Sequence, residues 1–312
     1  MRYSFSSNKA NKCIHNIRSS IQLYFRENNL SYAVFGKSEG LDSSVIAGLL
    51  SNLEGVKPIG VIMPCDSNPA AKLIGDKVLK HFNIPSIHVD LTSEFYLLMS
   101  LFYKSGSVCD QLTKILESYK DKKIAENLTV IKARAAGNIK ARLRMIALYH
   151  IAQLAGGVVV STDNLSEMWM GFWTLNGDVG DISPIQYVFK GIEEYTIAKE
   201  LGVPEESLNA APTDGLDVIP GGTDEDQLGM PYNDLDAVII RLLQNKFDGN
   251  INFSSDEKTV LFNKIAKETK NSTDAVAHVA KQLKSTHYKR SWPKAFKREE
   301  IGLPDIKDME IV

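Results

Sequence analysis

"SYAVFGKSEGLDSSVIAGLL", residues Ser31 to Leu50, sets two apolar runs on either side of a short polar loop. The first run reads as a buried strand closed by Gly36, the second as a helix that begins at Asp42 or Ser43. The pattern repeats downstream. "KPIGVIMP" (Lys57–Pro64) reads as a strand, "PAAKLIGDKVLKHFN" (Pro69–Asn83) as a helix and "PSIHVDL" (Pro85–Leu91) as a strand. "NIKARLRMIALYHIAQLAGG" (Asn138–Gly157) is a helix, apolar at Ile139, Leu143, Ile146, Ala147 and Ile151, and "GVVVST" (Gly157–Thr162) is a further strand. Strands and helices alternating at this length build a parallel sheet with helices on both faces. The strands are continuous apolar runs, as strands covered on both sides should be. The expected fold class is α/β, a doubly wound parallel sheet.

The flanks read as helical. "IHNIRSSIQLYFREN" has apolar residues at Ile14, Ile17, Ile21 and Phe25, which places a helix in residues 1–30 ahead of the main domain, 31–250. Residues 91–130 are helix-like and irregular. "PIQYVFKGIEEYTIAKELG" predicts a helix after a turn at Pro184, and "APTDGLDVIPGGTDEDQLGMPYNDLD" a loop-rich stretch with a solvated acidic run. Residues 251–312 hold two amphipathic helices, "DEKTVLFNKIAKET" and "STDAVAHVAKQLKST", and a basic end, "HYKRSWPKAFKR", together a C-terminal cap on the same domain.

The chain has 312 residues, 44% hydrophobic and 24% charged, enough for a sizeable core. A formal net charge of −2 argues against nucleic acid and membrane surfaces as partners. Cys13, Cys65 and Cys109 form no CxxC, which excludes a disulfide framework and a thiolate zinc cluster. With no apolar signal core and no run long enough to span a bilayer, the expected location is the cytoplasm.

The loop from Gly36 to Ser44 leaves a buried strand and enters a helix, which is where open parallel sheets bind ligands. The free N–H groups and positive end of the helix favour phosphate. Gly36 and Gly40 let the backbone come close, and Ser38, Ser43 and Ser44 add hydroxyls. It is not a Walker A loop, because no Gly-Lys-Ser/Thr follows four variable residues. Taken alone, it is also compatible with an ordinary tight strand-to-helix connection.

"SEGLDSS" (Ser38–Ser44) resembles the S-G-G-x-D-S pyrophosphate loop of the N-type ATP pyrophosphatases. The rest of the chain is similar, in order, to the NAD synthetase family. "GNIKARLRMIALYHIA" resembles its G-N-x-x-A-R-x-R-M helix. "VVVSTDNLSEMWMGFWTLNGDVGDISPI" resembles its strand, its G-T-x-N-x-S-E helix and its G-D-x-x-x-D-x-x-P-I loop. "KELGVPEESLNAAPTDGL", "GGTDEDQLGMPYNDLD" and "YKRSWP" resemble later segments. The likeness is weak between Leu91 and Val130, a region longer than in compact members. It implies the adenine-nucleotide α-hydrolase-like fold, ATP as co-substrate and Mg²⁺ as cofactor. It also implies amidation of deamido-NAD by ammonia through an adenylate, in a homodimer. A glutaminase domain would need about a further domain's length, so free ammonia is the expected donor.

The resemblance assigns roles by position. Gly36, Ser38, Gly40, Asp42, Ser43, Thr162, Lys190 and Thr213 would bind ATP. Asp42 and Glu167 would hold Mg²⁺, with Asp163 or Asn164 capping the helix that carries Glu167. Asn138, Arg142, Asp178, Asp181, Lys289 and Arg290 would contact deamido-NAD. Asp42, Lys190 and Asp178 are the catalytic candidates. Each has a plainer reading: solvent-facing acids for Asp42 and Glu167, turn residues for Asp178 and Asp181, a surface lysine for Lys190, a structural ion pair for Arg142. Trp169 and Trp173 read as core or subunit packing.

Glu39 stands where the family loop has its first glycine, and brings a carboxylate to a phosphate cradle. The expected escapes are solvent, a pair with Lys37, or a share of the metal. Two other readings stay open on sequence: a different adenylating amidoligase of this fold, and a nucleotide-binding homologue impaired by Glu39.

Overall fold

The structure, a computed structural model, describes residues 5–302 apart from residues 68, 105, 120–127, 214, 217, 220 and 252. Most of the charged "ESYKDKKIAEN" stretch and the last ten residues of the C-terminal segment lie outside the described residues.

Strands β1 (Tyr32–Gly36), β2 (Lys57–Ile62), β3 (Ser86–His88) and β4 (Val158–Val159) form one parallel sheet in the order β3-β2-β1-β4. The helices up to the last strand are α1 (Ser7–Glu27), α2 (Leu41–Leu50), α3 (Pro69–His81), α4 (Thr92–Tyr103), α5 (Val108–Ser118) and α6 (Leu128–Ala155). After it come α7 (Leu165–Met170), α8 (Tyr195–Leu201), α9 (Glu205–Leu208), α10 (Asp224–Leu228), α11 (Tyr232–Gln244), α12 (Ser255–Thr269) and α13 (Thr273–Ser285).

The alternation of β1 sorts the two layers. Ala33 and Phe35 pack with Ile21 and Phe25 of α1, Ile46 and Leu50 of α2, Leu79 of α3 and Ile197 of α8. Val34 points the other way, into a cluster with Phe95 of α4 and with Met145, Leu148 and Ala152 of α6. The sheet is covered on both faces, as its apolar strands require. The chain runs outward from β1 to β3 and then returns to the opposite side of β1 as β4. Strand order therefore reverses between β1 and β4, and their C-terminal ends open a crevice there. A third cluster, built from Leu235, Val238, Ile239 and Leu242 of α11 with Leu261, Ile265, Val276, Val279 and Leu283, forms the C-terminal cap, and Met170 of α7 joins it to the crevice.

Several elements differ from the sequence reading. β3 is an exposed edge, so one of the strands is not buried on both faces. "GVVVST" supplies only two strand residues and a single bridge from Val160 to Ile182, because the Asp181 carboxylate and backbone occupy the outer edge of β4. The helix expected after Pro184 starts at Lys190, with a π-type turn over Lys190–Glu194 before α8. The end of the stretch read as loop-rich is the start of α11, entered through Pro231. The acidic run is also helical: Thr223 and Asp226 form a reciprocal capping box, and Asp224 is buried. Among the described residues no helix is long and apolar enough to cross a membrane.

Candidate active site

The crevice is floored by the two loops that leave β1 and β4. Lys37 adds one more rung to the sheet through its N–H to Val61 O at 2.8 Å. Gly40 is extended (φ −69°, ψ 165°) and starts α2. The loop closes on itself: Gly40 N–H donates to Ser38 Oγ at 3.1 Å, and Ser38 and Ser43 Oγ lie 3.1 Å apart. Neither Gly36, Gly40 nor Glu39 takes a positive φ, so an L side chain fits at position 39 without backbone strain. Glu39 lines the cleft and makes no hydrogen bond or ion pair among the described residues. The expected pairing with Lys37 does not form, because that ammonium turns inward to the serines.

Asp42, in the first turn of α2, stitches the crevice. Its Oδ1 accepts from Asn164 Nδ2 at 2.6 Å and its Oδ2 from Lys190 Nζ at 2.8 Å. Asn164 lies just past β4 and caps α7, its Oδ1 accepting from Glu167 N–H at 3.0 Å. That capping box aims Glu167 back at the cleft, where its Oε1 lies 3.4 Å from Lys190 Nζ. Asp224 Oδ2 is 4.0 Å from the same ammonium, and the Tyr232 ring centroid 4.7 Å. Lys190 is thus the buried hub of three carboxylates. Burial disfavours its charge, yet Asp42, Tyr232 and Glu167 outweigh that and hold it well above the usual lysine range. Asp42 is held below the ordinary carboxylate range: burial opposes ionisation, and Lys190 and Asn164 overcome it. Glu167 and Glu194 are pushed up, first by burial and then by Asp42. Glu194 is fully buried with neither carboxyl oxygen hydrogen-bonded, and Asp163 rises to about 8 by burial and by Asp178.

Lys190 is placed by contacts distant in sequence. Its N–H donates to Ser166 Oγ at 3.0 Å, and that hydroxyl donates to Asp236 Oδ1 at 2.5 Å. Asp236 Oδ2 accepts from Gly191 N–H at 2.7 Å. A Cβ on Gly191 would lie 2.5 Å from Asn233 N and from the Tyr232 carbonyl carbon, so only glycine lets α11 approach this turn.

Two cavities meet at the Asp42–Lys190 pair. The larger, about 1620 Å³, is lined by Gly36, Ser38, Ser43, Thr162, Glu167, Asn138, Arg142, Asp178, Thr213 and Lys289 among others. The smaller, about 350 Å³, is lined by Ser38, Gly40, Asp42, Lys190, Thr213 and Tyr232. Together they collect every residue that the sequence assigned to ATP and metal. At the mouth, Asn138 Oδ1 accepts from Thr174 Oγ1 at 2.7 Å, Arg142 Nε donates to Leu175 O at 3.2 Å, and Asp178 accepts from Thr174 N–H. Lys289 Nζ donates to Gly171 O at 2.7 Å beside the Trp173 ring. Two expected contacts stand elsewhere. Arg290 donates to the Trp169, Asp248 and Leu283 carbonyls and stacks on Trp169, pinning the C-terminal segment. Asp181 binds Val159 N–H at 2.8 Å and Tyr149 Oη at 3.1 Å at the sheet edge.

A sequence model described as NAD synthase matches residues 13–293. The chain belongs to the NAD synthase family. The NH(3)-dependent NAD(+) synthetase of Thermoplasma volcanium is 33% identical over 73% of this chain and 83% of its own length. That of Pyrococcus furiosus is 30% identical over 86% and 90%. Among solved structures, the NMN synthetase of Francisella tularensis superposes with a TM-score of 0.65 at 23% identity, covering 94% of this chain and 99% of its own. The NH3-dependent NAD synthetase of Campylobacter jejuni gives 0.65 at 19%, covering 92% and 99%. At these identities the superpositions speak for the fold, and the fold of the NAD synthase family is the one the strand order shows.

Proposed function

We propose that this member of the NAD synthase family is an ammonia-dependent NAD synthetase that amidates deamido-NAD at the expense of ATP. The observation that carries the reading is the Asp42–Lys190–Glu167 cluster, set where strand order reverses and facing the serine loop. A deamido-NAD carboxylate oxygen attacks the α-phosphorus of ATP and pyrophosphate leaves. Ammonia then attacks the acyl carbon, the C–O bond to AMP breaks, and a proton is released. Both steps shift charge among oxyanions, so positioned cations and donors carry the catalysis. The loop N–H groups and the Ser38 and Ser43 hydroxyls bind the phosphate tail, with Thr213 across the smaller cavity. Lys190 moves from its carboxylates to the phosphates and balances the charge that builds on the leaving pyrophosphate.

Asp42 and Glu167 are the residues that would hold Mg²⁺. Both present carboxylate oxygens to the crevice, converging on Lys190 Nζ. That fits an ion held by one or two carboxylates with water and substrate phosphate completing its shell. When bound, the ion would supply further positive charge to the phosphates. Asn138, Arg142, Asp178 and Lys289 line the mouth, where they would orient the deamido-NAD. A homodimer would bury exposed apolar side chains such as Leu97 and Leu101 of α4, Leu112 and Ile115 of α5 and Ile146 of α6.

The test is product analysis with ATP, magnesium and ammonium. Stoichiometric AMP, pyrophosphate and NAD from deamido-NAD, with no turnover on glutamine alone, is the expected result. No AMP at saturating magnesium overturns the reading in favour of a binding protein.

A further inference from the structure

Lys37 is 4% exposed, yet it borders the cleft at the start of the serine loop. Its ammonium has an acceptor for each proton: Ser43 Oγ at 3.0 Å, Ser44 Oγ at 2.9 Å and the Ser38 carbonyl. Ser43 and Ser44 lie in the first turn of α2. The cation is therefore buried at the positive end of a helix, an arrangement unfavourable until an anion joins it. No carboxylate within ion-pair distance relieves it among the described residues, since Asp42 pairs with Lys190 and Glu39 faces the cleft. A hydroxyl that accepts from an ammonium must use its own proton elsewhere. Here Ser44 donates to Gly40 O at 2.7 Å, while Ser43 lies a longer 3.3 Å from the same oxygen. Ser43 Oγ also lies 3.1 Å from Ser38 Oγ, so its proton is held by longer contacts than that of Ser44 and is the easier of the two to turn toward a ligand.

Resting on the function proposed above, we propose that Lys37 is the phosphate loop's own cation. From beneath the loop it directs the Ser43 hydroxyl at the pyrophosphate portion of ATP and offsets the Glu39 carboxylate. This is a positioning role, exerted through the serines and through charge. The one departure from the S-G-G-x-D-S loop, the acid at position 39, then has a base two residues before it to offset its charge. Burial lowers Lys37 to about 7, against the pull of Glu39 and Asp42, the charged groups that face it. Near pH 8 much of the empty site is neutral at this position, and an arriving polyanion draws in a proton.

The probe is inorganic pyrophosphate with magnesium, titrated calorimetrically at pH 8 in two buffers of different ionisation enthalpy. The wild-type protein takes up a proton at Lys37 on binding. Lys37→Met loses that uptake and binds roughly tenfold or more weakly, as loss of a short-range charge in a partly dry site requires. It also raises the KM for ATP more than it lowers kcat. Lys37→Arg, charged at every accessible pH, keeps affinity but shows no uptake. Glu39→Gln binds more tightly. Wild-type affinity and uptake in Lys37→Met, or unchanged uptake in Lys37→Arg should the methionine variant not fold, overturns the proposal. AMP formation by the wild type together with either result leaves the synthetase reading standing, whereas absence of AMP strikes that reading first.

Discussion

At position 39 a carboxylate faces the space where the phosphates of ATP would lie, with no hydrogen-bond partner among the described residues. Like charges ~4 Å apart repel by about 1 kcal/mol in water and roughly 4 kcal/mol at an effective dielectric of 20. Glu39 is partly solvated, so the lower part of that range applies, and Glu39→Gly should lower the KM for ATP several-fold in steady-state assays. Lys190 has the opposite role. Lys190→Met removes the cation among Asp42, Glu167 and Asp224, and should cut kcat by about 10²–10³-fold. It should also destabilise the fold by roughly 3–5 kcal/mol, as unpaired buried charge does. Added magnesium should then raise the melting temperature of the variant more than that of the wild type. Ser38, Asp42 and Glu167 were legible because their spacing belongs to recognisable segments. Asn164 was half legible, since an Asn three residues before a Glu is a capping pattern. Glu194, Tyr232 and the inward turn of Lys37 were not, because long-range packing alone decides them.

The elements show where local pattern stops being informative. β1 and α2 follow from the two apolar runs on either side of the serine loop, the first closed by Gly36, which tertiary contacts only reinforce. The segment at Lys190 does not. Its helix starts late because the first amide donors are met by Ser166 and Asp236, 24 and 45 residues from their partners in the chain. Burial raises Asp236 to about 7 from a normal 3.8, against the hydrogen bonds it accepts. The folded protein then binds a proton that the unfolded chain releases. The resulting stability is complete below about pH 4 and is lost as pH rises through 7. Asp236→Asn should flatten that part of a melting-temperature profile against pH. Gly191→Ala meets the backbone of α11, and should lower kcat with little change in KM for deamido-NAD, because it displaces Lys190 and leaves the mouth intact.

For the molecule as a whole, the doubly wound sheet was legible from alternation alone, and the helical cap from its two amphipathic stripes. The short β4 was not, because its outer edge is filled by the distant Asp181. The tryptophans were half legible: Trp169 packs against the cap cluster as core packing predicts, but that Trp169 and Trp173 also carry Arg290 and Lys289 on their rings was not readable. Light scattering after size exclusion should give a dimer, and Ile146→Glu, at a side chain 67% exposed, should shift it toward monomer with its fold unchanged.

The bond from Asn164 to Asp42 reaches across 122 positions of the chain. A fragment ending near Ala155 would own the serine turn and lack the acid, the lysine and the amide that complete it. Partial products of synthesis or proteolysis should accordingly bind nucleotide poorly, since the site is complete only when the returning half docks. Mixing the two halves should restore turnover only in proportion to their reassociation.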